Sequence, residues 1–468
     1  MIPAAWRGGE AAVIGLGKSG AAAATLLARE GLAVYASDAA HADRVQAAAA
    51  ALRARGIAVD AGHHDLDRIA RAAIVVVSPG VPPDAPPLAR ARAAGRPVVS
   101  EVEVGLAALR DTRCIAVTGT NGKTTTTALV GHLLRALGHT AVDAGNIGIP
   151  VSQVALEPSP PSWLALEISS FQLHDTPGLR PEVGVLTNLS PDHLDRYASV
   201  AEYYADKALL FRNADKSSKW VVNYDDVEVM RMIARVPGEH HYFGGVASMQ
   251  FSDMYYVPRD AGAASGTDAG PAIFLRGERL MSRDELPLLG DHNVMNAMAA
   301  ALAVIVAEGP YWRRESLREI AEGLRTFRAL PHRLETVGEF GSVIWINDSK
   351  ATNVNSTLVA VQGMVRPTIV LLGGRHKGEP YTSLVEPLRR HAKAVLAYGE
   401  AAPVIAHDLG GALPVEVLGS DFEAVIARAR ALAAPGDVVL LSPACSSYDM
   451  FENYEQRGAE FRRLAARR

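Results

Sequence analysis

Cysteine is nearly absent. Two residues, Cys114 and Cys445, stand in a chain of 468, too few for a disulfide framework and in no metal-binding spacing. A membrane-spanning run is missing too. The longest apolar stretch, around Val294 to Ala307, falls short of the ~18 residues that a spanning helix needs. The opening MIPAAWRGGE has no apolar segment of the secretory kind. Neither sign of charge is in excess, since 47 Lys and Arg face 51 Asp and Glu, so there is no electrostatic footprint for nucleic acid. The expectation is a cytoplasmic enzyme acting on small molecules, without a nucleic-acid or membrane partner, and monomeric. Apolar content of 49% and charged content of 21% are those of an ordinary globular protein. The length suggests about three domains.

Lysine is also scarce: eight against 39 arginines. The chain uses Arg wherever a generic surface cation will do. Lysine carries a compact ammonium and an amine that can lose its proton and react. The remaining lysines, at 18, 123, 207, 216, 219, 350, 377 and 393, are therefore enriched in candidates for specific work, although 216, 219 and 393 read as ordinary solvated positions.

What the chain does have is clearest in IAVTGTNGKTTTTALVGHLLRALG, residues 115–138. An apolar strand runs into a glycine turn, then into a helix that opens on Lys123 and Thr124. Backbone N–H groups and a helix N-terminus make a phosphate cradle there. Lys123 is placed to reach the outer phosphates and Thr124 to hold Mg²⁺. The longer P-loop pattern needs glycine at 117, where this chain has Val117, so the turn is a shorter one. A plain glycine turn at a helix start is the bland alternative.

Residues 11–38 make a second strand, turn and helix: AAVIG, then Gly15, Gly17 and Gly20, then an Ala-rich helix and LAVYAS ending at Asp38. This matches the dinucleotide fingerprint and by itself suggests NAD. The physics, a diphosphate at a helix N-terminus with a ribose near an acid, suits a UDP-sugar equally, and Asp38 also reads as a strand-end turn residue. Lys18 and Ser19 read as lying inside this turn. AAIVVVSPG follows, ending at Ser78, Pro79 and Gly80, and the Pro-rich VPPDAPP closes the region.

Further on, WLALEISSFQL sets Glu167 at a strand's carboxyl end, where ligands sit in open α/β sheets. His193 follows the strand VGVLTNLS, and Lys207 lies on a helix over about 200–211. Each has a bland reading: a surface carboxylate, a turn or cap residue, a solvated helix residue. Joined behind one cradle, they favour a site. Residues 236–285 are poorly patterned, and 260–271 read as a surface loop. His292, Asn293 and Asn296 open the next helix. Strands and helices alternate again after 330, with polar loops at the strand ends. The fold expected is α/β in three domains: a Rossmann-like domain over 1–102, a P-loop ATPase-like parallel sheet over 103–329, and a Rossmann-like domain over 330–468.

Along its whole length the chain resembles the ATP-dependent Mur ligases. The residues that carry this are GTNGKTT (119–125), GNIG (145–148), EISSFQL (167–173), DHLDRY (192–197), HNxxNA (292–297), PHRLE (331–335), NDSKATN (347–353) and SPACSSYDxFENYEQRG (442–458). SSFQL, NDSKATN and SPACSS resemble the D-glutamate-adding branch. The resemblance implies an enzyme that phosphorylates the carboxylate of UDP-N-acetylmuramoyl-L-alanine with ATP and couples the acyl phosphate to D-glutamate in peptidoglycan precursor synthesis. It implies that Gly119, Thr120, Asn121, Gly122, Lys123, Thr124 and Thr125 hold ATP, with Asn293, Arg333 and Asp348. Thr124 and Glu167 would ligate one Mg²⁺, and His193 would serve a second with Lys207, at the position of the family's carbamylated lysine. Gly17, Lys18, Ser19, Asp38, Ser78, Pro79, Gly80, Asn146, Ser169 and Gln172 would contact the UDP-sugar. Lys350, Thr352, Lys377, Ser447 and Tyr448 would meet D-glutamate, with Tyr454 at the family's aromatic position. Another Mur-type or folylpolyglutamate-type ligase, an NAD(P)-dependent oxidoreductase and a non-enzymatic UDP-sugar sensor are the rivals.

Overall fold

The computed structural model describes residues 2–192, 196–258, 270–309 and 314–467. His193 and most of the stretch expected as a loop, 260–269, lie outside the described residues. The chain forms two compact units, Met1–Arg283 with Met295–Arg325, and Asp284–Val294 with Thr326–Arg468. Among the described residues no helix is long and apolar enough to cross a membrane.

The first unit holds two sheets. One is a five-stranded parallel sheet of β1 (Ala11–Ile14), β2 (Val34–Asp38), β3 (Ala58–Ala61), β4 (Ile74–Val77) and β5 (Val98–Ser100), in the order β3-β2-β1-β4-β5. Every residue of β1 and β4 is buried, as expected for parallel strands covered on both faces. The other sheet has nine strands: β6 (Arg113–Thr118), β7 (Ala141–Gly145), β8 (Trp163–Glu167), β9 (Val183–Leu186), β10 (Lys219–Asn223), β11 (Glu239–Gly245), β12 (Met254–Val257), β13 (Ala272–Leu275) and β14 (Glu278–Ser282). Their order is β14-β13-β12-β11-β10-β9-β6-β8-β7. It is parallel from β7 through β12 and antiparallel beyond.

The second unit holds a six-stranded sheet, β15 (Glu335–Phe340), β16 (Val343–Asn347), β17 (Thr368–Gly373), β18 (Ala392–Tyr398), β19 (Val415–Val417) and β20 (Val438–Leu441), ordered β15-β16-β20-β17-β18-β19. Only β15 runs antiparallel. The whole is the α/β architecture expected, with chemistry-bearing loops at the carboxyl ends of parallel strands.

Three sequence readings are corrected. The poorly patterned 236–285 carries β11 to β14. Its hairpin turns at Arg276 and Gly277, both at positive φ (46° and 85°), a two-residue turn of the kind usually signalled by Asn-Gly or Asp-Gly. VPPDAPP does not merely close a region: Pro86 starts the helix Pro86–Ala93, where a missing N–H costs nothing. Lys18 and Ser19 are not inside the glycine turn. They open the helix Lys18–Arg29, capped by Gly17.

Candidate active site

The cradle around Lys123 forms because the chain must turn sharply between β6 and the helix Lys123–Ala136. Val117 is fully buried inside β6, paired with Glu167 and Val185, so the turn begins only at Gly119. Gly119 has φ +143°, and a Cβ there would lie 2.0 Å from Thr187 Oγ1. Gly122 caps the helix at φ +82°, and a Cβ there would lie 2.2 Å from Asn296 Oδ1. The loop is pinned from the strand beside it. Asn188 Oδ1 accepts from Asn121 N (2.9 Å), while Asn188 Nδ2 (3.0 Å) and Thr187 Oγ1 (2.7 Å) donate to Asn121 O. Asn188 and Thr187 escape the sequence reading, although they stand in the polar end of VGVLTNLS. Asn296, one of the polar residues read at the opening of its helix, accepts from Thr126 Oγ1 at 3.3 Å.

Two lysines converge on this turn. Lys123 Nζ donates to Thr120 O (2.7 Å) and Gly119 O (3.0 Å). Lys207 Nζ donates to the same Gly119 O at 2.8 Å and stands 4.7 Å from the centre of the Tyr203 ring. Lys207 is 1% exposed, so it is not the solvated residue of the bland reading. Burial first, and the Lys123 charge second, hold its amine well below the usual lysine range. Glu167 is equally buried, at 1% exposure. Its Oε1 accepts from Asn146 Nδ2 at 2.6 Å, and its Oε2 has no hydrogen-bond partner. Gly145 makes the close approach possible, since a Cβ there would lie 2.3 Å from Glu167 O. The structure thus brings Glu167 and Asn146 together, and Lys123 and Lys207 together.

A buried carboxylate oxygen without a donor suits a cation. Among the described residues no group of three or more His, Cys, Asp or Glu could cage a metal alone. Mg²⁺ keeps waters and uses one or two carboxylates plus substrate phosphates, so a single buried carboxylate oxygen suits it. Thr124, buried in the first helical turn, and Glu167 are the residues of fitting chemistry.

The N-terminal cradle is equally tight. A Cβ on Gly20 would lie 1.8 Å from Gly15 O, and one on Gly15 would lie 2.9 Å from the Ser78 Cβ. Ser78 Oγ donates to Gly15 O at 3.1 Å, so the serine of the SPG turn rests on the glycine turn. Asp38 accepts from Leu16 N (2.8 Å) and Ala40 N (2.9 Å); it shapes this turn. A cleft of about 400 Å³ opens beside it, lined by Ser78, Pro79, Val81, Phe171, Gln172 and Tyr197 among others. Ser169 and Gln172 close a capping box on the helix Ser170–His174. That uses the Gln172 oxygen and leaves its buried Nε2 without a partner.

In the second unit Asp348, Lys350, Thr352, Lys377, Ser447 and Tyr448 follow the ends of β16, β17 and β20. Asp348 accepts from Ser442 Oγ (2.8 Å) and Leu334 N (3.2 Å). Burial pushes its carboxyl up to about 7, against these bonds and the Arg333 charge. Asn293 donates to Leu289 O at 2.8 Å. Lys377 Nζ donates to Thr352 Oγ1 at 3.4 Å, and Lys350 Nζ stands 5.2 Å from the Tyr454 ring centre. Ser447 is buried, whereas Tyr448 is 66% exposed.

Known proteins resemble this chain in sequence and in fold. The Mur ligase MurD-like N-terminal domain matches residues 9–100, the Mur ligase middle domain 117–304, and the Mur ligase glutamate ligase domain 332–445. A UDP-N-acetylmuramoylalanine–D-glutamate ligase of Salinibacter ruber is 41% identical over 99% of both chains. One from Anaeromyxobacter dehalogenans is 41% identical over 98% of both. In fold, a UDP-N-acetylmuramate–alanine ligase of Thermotoga maritima matches 98% of this chain and 100% of its own, with TM-score 0.60 and 20% identity. A folylpolyglutamate synthase of Mycobacterium tuberculosis matches 78% of this chain and 94% of its own, with TM-score 0.58 and 17% identity. The chain belongs to the Mur ligase family.

Proposed function

We infer that this protein is an ATP-dependent ligase that joins D-glutamate to UDP-N-acetylmuramoyl-L-alanine in peptidoglycan precursor synthesis. The observation that carries this reading is end-to-end identity of 41% with a D-glutamate ligase, covering 99% of each chain. A folylpolyglutamate-type activity has only a likeness of fold behind it. An NAD(P) oxidoreductase leaves the Lys123 cradle, Lys207 and Glu167 without a task, and a UDP-sugar sensor leaves them equally idle. The three functional parts are taken as residues 1–102, 103–329 and 330–468, working in the cytoplasm as a monomer.

The reaction has two steps. An oxygen of the L-alanine carboxylate attacks the γ-phosphorus of ATP, and ADP leaves. The amine of D-glutamate then attacks the acyl carbon, phosphate leaves, and the amine nitrogen gives up a proton. In this reading Lys123 and the N–H groups of Gly119–Thr125 hold the phosphates, and catalysis is chiefly positioning and charge stabilisation. Thr124 and Glu167 hold Mg²⁺, and His193 with carbamylated Lys207 serves a second ion. When bound, Mg²⁺ supplies charge neutralisation at the phosphoryl oxygens. A neutral Lys207 amine is what reaction with CO₂ requires. Asn293, Arg333 and Asp348 complete the ATP contacts. Gly17, Lys18, Ser19, Asp38 and the Ser78–Gly80 turn take the UDP part, while Asn146, Ser169 and Gln172 take the sugar side. Lys350, Thr352, Lys377, Ser447, Tyr448 and Tyr454 receive D-glutamate.

The test is phosphate release with ATP, UDP-N-acetylmuramoyl-L-alanine and a panel of amino acids. D-Glutamate is expected to stand alone as the efficient acceptor. Turnover with L-glutamate, glycine or diaminopimelate in its place would defeat the reading.

A further inference from the structure

The proposed D-glutamate contacts sit on three separate loops: Lys350 and Thr352 after β16, Lys377 after β17, and Ser447 and Tyr448 after β20. Those strands are neighbours in the order β16-β20-β17. Loops are the mobile parts of a fold, and a site needs its groups held to within about half an ångström. One side chain joins the loops after β16 and β20 to the last residue of β17. Arg457, on the helix Tyr454–Ala465, is wholly buried at 0% exposure. Its Nε donates to Ser349 Oγ (2.9 Å), and its Nη2 donates to Ser349 O (2.8 Å) and Cys445 O (3.2 Å). Its Nη1 donates to Cys445 O (3.2 Å), Ser446 O (3.4 Å) and Gly373 O (3.4 Å). Ser349 Oγ in turn donates to Tyr454 O at 2.9 Å, which fixes the start of the helix that bears Tyr454.

Among the described residues no carboxylate forms an ion pair with Arg457. A buried guanidinium held by carbonyl and hydroxyl oxygens instead of an ion pair is a costly way to fill space, and an apolar side chain packs there at less cost. The planar fork of five donors is what lets one residue bridge three strand ends. No other side chain has that reach and geometry.

We propose that Arg457 is the positioning residue of the amino-acid site, locking the loops after β16, β17 and β20 in the register that receives D-glutamate. This rests on the D-glutamate reading, so the wild-type panel is run first; an acceptor other than D-glutamate there removes that reading, and the kinetics below then use the acceptor found. Arg457→Gln and Arg457→Lys are compared with wild type in the Michaelis constants for the amino acid, ATP and UDP-sugar, in kcat, and in melting midpoint. Expected is a rise of about tenfold or more in the amino-acid constant for Arg457→Gln and a smaller rise for Arg457→Lys, with the other two constants within about twofold. A lowered melting midpoint with an unchanged amino-acid constant overturns the proposal, as does an equal rise in all three constants. Ser349→Ala removes only the Nε acceptor and its link to Tyr454 and serves if Arg457→Gln does not fold. An amino-acid constant raised several-fold supports the proposal, and an unchanged one overturns it.

Discussion

Lys207 is placed where burial and a second cation both work against a lysine's ordinary proton. Its neighbour Lys123 donates to the same carbonyl, Gly119 O, at 3.0 Å against 2.8 Å for Lys207 itself. Two ammonium groups on one acceptor repel, and the buried one gives way. The Lys207 amine is lowered by burial first and by Lys123 second, and the partial offset from Asp192, Glu167 and Asp206 does not restore it. A neutral amine can react with CO₂; a guanidinium cannot lose its proton. Lys207→Arg is therefore expected to lose about a hundredfold or more in kcat, on the scale of deleting one charge-stabilising group from an active site. Steady-state phosphate release on the folded variant checks this, and wild-type turnover would remove Lys207 from the mechanism. Nothing in the sequence near 207 separates a buried lysine from a solvated one. Tyr203, one turn before it, covers the amine, and that face of the helix Val200–Ala208 is legible only once the P-loop strand is in place.

At the scale of elements, the helix Glu101–Ala108 is docked on the helix Val151–Leu156 through a carboxyl group. Glu101 Oε1 accepts from Ser152 N at 2.5 Å, Ser152 Oγ donates to Glu101 O at 3.2 Å, and Glu101 Oε2 has no partner. Burial pushes the Glu101 carboxyl from 4.5 up to about 7. Between those values the unfolded chain has lost the proton and the folded one still holds it. The folded state binds more protons there, so stability falls as pH rises through this window and levels off above about 7. The upper bound on the fall is on the order of 3 kcal/mol. Asp348, also pushed up to about 7, adds a slope of the same sign within its own unit. Glu101→Gln is expected to raise the melting midpoint at pH 8 and leave it unchanged at pH 5. An equal shift at both pH values would place the effect in packing instead. The other elements divide by how much of their physics is local. Parallel strands buried on both faces, such as β4 and β8, are apolar runs closed by Gly, Pro or a carboxylate, and these are legible in the sequence. The β13–β14 hairpin is not, because its turn is Arg-Gly. The Pro86 helix is not, because proline reads as a breaker away from the first turn.

The whole molecule carries two anion cradles of different chemistry. Gly15–Gly20 has the helix N-terminus and Lys18, with the Asp38 carboxylate accepting from the turn's own backbone. Gly119–Thr125 has Lys123 and Lys207 at its turn and Glu167 at the end of the adjacent strand β8. The first is suited to a diphosphate without a metal, the second to a triphosphate with one. Binding at either shifts the folding equilibrium by its own linkage term, about 2.7 kcal/mol at a hundredfold excess over Kd, a few degrees in melting midpoint for a chain of this size. UDP-N-acetylmuramoyl-L-alanine is expected to raise the midpoint with or without a chelator. ATP is expected to raise it with Mg²⁺ and to lose that effect when EDTA is added. NAD is expected to move nothing. Differential scanning fluorimetry over these five conditions separates the readings: a shift with NAD revives the oxidoreductase, and an ATP shift that survives EDTA removes Mg²⁺ from the Lys123 cradle.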